Sequence, residues 1–112
     1  MIYIKPGVDL SNIQPQMVVA TLILHTIYRE QFKSDLTITS GRDGEHRHVL
    51  HYVGQALDFR IRNLIPSDQE RVEGLATEAL GDQYDAIREV NPGHLHVEFD
   101  PRSNRLSGNP GV

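Results

Sequence analysis

Polar and apolar residues alternate without a break over His94-Leu95-His96-Val97-Glu98-Phe99. This is the period of a β-strand, with the two histidines and Glu98 on one face and Leu95, Val97 and Phe99 on the other. Gln55–Ile61, following a turn at Gly54, reads as a second strand on which Ala56, Asp58 and Arg60 share a face. Leu36–Thr39 is a short strand by its β-branching, and Tyr84–Val90 is expected to pair with His94–Phe99 as a hairpin across Asn91-Pro92-Gly93. Elsewhere the period is helical. Pro15 followed by Met17, Val18, Leu22, Ile23 and Tyr28 predicts a mostly buried helix ending near Phe32. Ser67-Asp-Gln-Glu70 has the pattern of a capping box and opens a second helix through Leu80, which Gly81 stops. The whole predicts an α+β domain over 1–100, two helices on one side of a small, mostly antiparallel sheet, with a flexible tail at 101–112.

Composition narrows the function classes. At 112 residues and 38% hydrophobic content there is material for one core. The chain has no cysteine, which excludes a disulfide scaffold and a thiolate zinc finger. Its formal charge of −4 argues against a nucleic-acid groove. Met17–Ile27 is too short and too interrupted to span a bilayer, and Met1–Gly7 lacks a basic region followed by an apolar run. The expectation is therefore a chain without signal peptide or membrane insertion, made in a cytoplasm and acting elsewhere only if released.

The polar face of the last strand then acquires meaning. Histidine and aspartate recur in two short stretches, His51-Tyr-Val-Gly-Gln-Ala-Leu-Asp58 and His94-Leu-His96. Neutral imidazole and ionised carboxylate are ligands that zinc accepts. A turn at Gly54 feeding a strand would bring His51 back beside Asp58. Two histidines and one aspartate would fill three positions of a tetrahedron and leave the fourth for water, the arrangement of a catalytic zinc. His46 and His48 lie in a polar loop and read as exposed, and His25 sits within the first helix and reads as a core or boundary residue.

His51-x-x-Gly54-x-Ala56-x-Asp58, followed some forty residues on by His94-x-His96, resembles the zinc D-Ala-D-Ala carboxypeptidases and related peptidoglycan peptidases of the Hedgehog/DD-peptidase fold, in particular the small phage-type members. The resemblance runs from about Leu36 to Asp100. It implies Zn2+ on His51, Asp58 and His96, with His94 contacting the catalytic water or the oxyanion. It also implies a peptidoglycan peptide containing D-amino acids as substrate. Two positions depart from the family. Val49 stands where many relatives have serine, and Gly93 stands where many carry the acid that serves as general base. Glu89 is the nearest upstream carboxylate and reaches the site if the hairpin register allows, so Glu89 and His94 are both candidates for the base. Glu98 is placed to orient His96. Relatives grip the substrate with an arginine just before the first ligand. Arg42 is the counterpart by position, and Arg60, on the face of Asp58, is an alternative. A metal-binding but non-hydrolytic module, such as a phage component, is the rival reading.

Overall fold

The fold is described from a computed structural model for residues 1–43, 51, 53–91 and 93–101. Five strands, β1 (Ile2–Ile4), β2 (Leu36–Ser40), β3 (Ala56–Arg60), β4 (Tyr84–Glu89) and β5 (His94–Phe99), form one sheet in the order β1-β2-β3-β5-β4. β1 and β2 run parallel and the other three pairings are antiparallel, so the sheet is mixed. The two helices are α1 (Pro15–Ile27), extended by a π-helical turn at Tyr28–Phe32, and α2 (Pro66–Leu80). This is the expected α+β architecture.

Alternation sorts the sheet into two faces. Leu36 and Ile38 of β2, Leu57 and Phe59 of β3, and Leu95 and Val97 of β5 pack with Met17, Ala20, Leu24 and Tyr28 of α1 and Val72, Ala76 and Leu80 of α2 in one core. Asp58, His96 and Glu98 alternate with these residues and lie on the other face, buried as well.

Three expectations need correction. α1 is not mostly buried: Val18, Val19 and Leu22 are about half exposed, because α1 meets the sheet along the stripe of Met17, Ala20, Thr21 and Leu24 only. Ser67 does not cap α2. The helix begins at Pro66 after an extended Ile65 with no side-chain cap, and proline suits that first position because its φ is already helical and the N–H it lacks would have had no partner within the helix. β1 was not expected, and it adds the parallel edge pairing Ile2, Tyr3 and Ile4 with Leu36, Thr37 and Ile38. Residues 102–112 of the expected tail lie outside the described residues.

Candidate metal centre

β3 and β5 set the frame of the site. Asp58 faces His96 directly across the ladder, Arg60 faces His94 and Ala56 faces Glu98. His51 comes from outside the sheet. Its position depends on Gly41 and Gly54, where the chain passes hard against the Asp9–Ile13 segment. An added Cβ would stand 2.4 Å from the Asp9 carbonyl oxygen at Gly41, and 2.0 Å from that of Asn12 at Gly54, whose φ is +78°. The Asp43 carboxylate clasps the same segment, accepting the backbone N–H groups of Asp9 (2.9 Å) and Gly41 (2.8 Å). The small residue of the His-x-x-Gly pattern is thus needed for a close backbone approach.

His51 Nε2, His96 Nδ1 and Asp58 Oδ1 converge, at separations of 3.1, 3.0 and 3.3 Å. His51 and His96 are each 1% exposed and Asp58 6%. The outer ring nitrogens fix the tautomers. His51 Nδ1 lies 2.9 Å from the Gly41 carbonyl oxygen, and His96 Nε2 lies 2.8 Å from Glu98 Oε1. Both partners only accept, so in the neutral rings these nitrogens carry the protons. Two nitrogen lone pairs and a carboxylate oxygen then point at one another in a buried space. Tetrahedral ligands bonded at ~2.0–2.1 Å to one ion stand about 3.3 Å apart, close to the spacing found here. A carbonyl and a carboxylate holding the far nitrogens are the partners that ligating histidines ordinarily have. The group can hold a metal ion.

Without an ion, a proton takes its place. Burial disfavours the charged imidazole of His96, but the hydrogen bonds and negative charges of Asp58 and Glu98 outweigh it and raise its pKa to about 9. Burial likewise opposes ionisation of Asp58, and the His51 and His96 contacts overcome it, holding the carboxyl well below the usual range.

The second oxygen of Asp58 turns to another pair. His94 Nε2 is 3.7 Å from Asp58 Oδ2 and 2.5 Å from Glu89 Oε1. Glu89 is the direct cross-strand neighbour of His94 on β4. These three side chains also lie within metal-binding reach of one another. The His94–Glu89 pair is in direct hydrogen-bond contact, however, closer than the ~3.3 Å that separates two ligands of one tetrahedral ion. The register therefore brings Glu89 to the site. Gly93 has φ +101°, a conformation that an acidic residue would adopt only with strain.

The two candidate arginines part company. The Arg42 side chain is exposed, its backbone N–H donates to the Asp9 carbonyl, and its charge helps the Ser11 hydrogen bonds hold the Asp9 carboxyl below its ordinary value. Arg60 is partly buried beside His94, in a cleft lined by Lys5, Thr39, Arg62 and Gly93 as well. The sequence reading missed Lys5, Arg62 and the Gly41 carbonyl, because only the folded topology brings them to this face. His25 lies on α1, half-buried, and belongs to neither metal-binding group among the described residues. His46, His48 and Val49 lie outside the described residues. Among the described residues, no helix is long and apolar enough to cross a membrane. Compared with known proteins, the chain matches no family model and no curated sequence.

Proposed function

We propose that this chain is a zinc-dependent peptidase that hydrolyses peptide bonds of bacterial peptidoglycan, with His51, Asp58 and His96 holding the metal. The observation that carries the metal is the convergence of two imidazole nitrogens and a carboxylate oxygen within 3.3 Å of one another in a buried site. Two nitrogens and one oxygen, with three protein ligands rather than four, suit catalytic zinc. The substrate class rests on the motif resemblance alone.

When bound, the cation polarises the scissile carbonyl and acidifies the attacking water. The remaining steps belong to side chains. Glu89, oriented by the N–H of His94, accepts a proton from the water as the water oxygen bonds to the carbonyl carbon. Glu89 then returns that proton to the leaving nitrogen as the C–N bond breaks, which closes the balance of hydrolysis. His94, beside Asp58 as well as Glu89, would face the carbonyl oxygen with its other ring nitrogen once a substrate is bound.

The test is zinc content of the purified protein by elemental analysis, together with turnover of isolated peptidoglycan. About one zinc per chain and release of peptide fragments or free D-amino acid is the expected result. Zinc without turnover replaces the peptidase with a metal-holding, non-hydrolytic module. Full zinc occupancy in both His51→Ala and Asp58→Ala proteins overturns the ligand assignment.

A further inference from the structure

We infer that a second divalent cation binds beside the first, between Asp58, His94 and Glu89, with the Asp58 carboxylate bridging the two ions. Asp58 divides its oxygens. Oδ1 meets His51 and His96, whereas Oδ2 turns toward His94 Nε2 at 3.7 Å and, among the described residues, accepts no hydrogen bond. The residue as a whole is 6% exposed, so little water reaches this oxygen in place of a donor. His94 and Glu89 complete the set. They are cross-strand neighbours on β5 and β4, and one ligand atom from each lies close enough to Asp58 for all three to meet a single ion. Their side chains are 17% and 31% exposed, so this second position opens to solvent, while His51 and His96 enclose the first.

Without the second ion, a hydrogen bond joins His94 Nε2 to Glu89. The ion takes the place of that hydrogen, which moves to Nδ1 as the other tautomer of the neutral ring. Glu89 lies on the edge strand β4, and drawing its carboxylate back by less than ~1 Å gives the spacing of two ligands of one ion. A shared carboxylate sets two such ions about 3.5–4 Å apart, the separation of paired metals in hydrolytic enzymes. The two positions differ in strength. The first has two imidazoles and is closed. The second has one imidazole, and Lys5, Arg60 and Arg62 line the cleft against His94. Those cations and the first ion repel the second, which should bind at least about 10-fold more weakly. The chain should therefore purify with one ion and take another only in excess metal. The second ion also occupies the Glu89 oxygen that serves as base, so excess metal inhibits. That consequence rests on the peptidase reading, whereas the second site rests on its side chains alone.

The test titrates cobalt(II), a paramagnetic substitute for zinc, into the metal-free full chain. Uptake should reach about two equivalents. The electron paramagnetic resonance signal that grows with the first equivalent should collapse with the second, as the two spins couple through the Asp58 carboxylate. Glu89→Gln and His94→Ala should each keep the first equivalent in full and lose the second. Uptake that stops at one equivalent in excess cobalt overturns the second site, as does a second equivalent that both variants retain or that leaves the first signal unchanged. Should a variant fail to fold, stoichiometry and coupling in the parent still decide. With zinc, peptidoglycan turnover should fall at least about 10-fold as the second ion fills, the loss expected when a general base is blocked. Undiminished turnover at that point overturns the inhibition. One ion in a chain that cleaves peptidoglycan removes the second site and leaves the peptidase. Two coupled ions in a chain that cleaves nothing do the reverse.

Discussion

Glu98 accepts the outer N–H of His96, so Glu98→Gln keeps the shape of that partner and removes its charge. Zinc affinity should fall by roughly 10–100-fold while one ion per chain still binds, as a competition titration with a chromogenic chelator would show. Glu89→Gln should retain full zinc and lose roughly 100-fold in turnover, the scale of a missing general base. A Glu89→Gln enzyme of parental activity whose His94→Ala counterpart is dead would transfer that role to His94. The pH response follows from His96. Its pKa, raised to about 9 in the metal-free protein, means that a proton leaves when the ion enters. Calorimetry in buffers of different ionisation enthalpy should find about one proton released per zinc at pH 7, and almost none above pH ~9.5. The same raised pKa stabilises the metal-free fold fully below the unfolded histidine value of ~6.5. That contribution declines as pH rises and is gone above about 9, so the metal-free melting temperature should drop across this window. At this scale the sequence was legible in its chemistry. The placing of His94, His96 and Glu98 on one face, and of Asp58 on its own strand's polar face, followed from alternation, whereas Glu89 waited on the hairpin register and the Gly41 carbonyl, a backbone group, leaves no mark in residue identity.

Turn glycines carry the elements to their registers. Gly54→Ala would meet the Asn12 carbonyl at 2.0 Å and take on a strained positive φ. It should cost about 2 kcal/mol or more in urea-monitored stability, and weaken zinc binding through His51. Gly93→Ala should cost less, about 1–2 kcal/mol, since the nearest atom is Arg62 Cβ at 3.2 Å and the strain of its positive φ dominates. β5 matched its expected bounds because a six-residue alternation has no competing period. β1 was not legible. Three residues, two of them exposed, show no pattern until β2 supplies a partner. The start of α2 was misread because Pro66 sets a helix N-terminus by covalent geometry, and the Ser67-x-x-Glu70 pattern fell one residue inside it.

For the molecule as a whole, an ion held by His51, Asp58 and His96 would link metal binding to folding. An ion that binds only the native state at a hundred times its dissociation constant stabilises it by about 2.7 kcal/mol. For a chain of this size that should raise the melting temperature by roughly 10 °C or more. Scanning calorimetry with zinc and with chelator measures it, and Asp58→Ala should erase the difference. The layer arrangement was foreseeable, since the apolar faces of helices and strands have to meet in one core. The cationic cleft was not, because Lys5, Arg60 and Arg62 meet only once β2 lies between β1 and β3.

Asp58 and His96 are partners in a backbone ladder at the middle of the sheet, with β2 outside one strand and β4 outside the other. Their Cα atoms cannot drift apart without breaking hydrogen bonds on both sides, so the distance between the donors is set by the pitch of the sheet. For a metal held here, the sheet would thereby favour a small cation. A cation with bonds near 2.0 Å seats without moving a strand. Calcium, which seeks six to eight oxygen donors at about 2.3–2.6 Å, would meet two imidazole nitrogens and one carboxylate instead and should bind far more weakly than zinc in a competition titration.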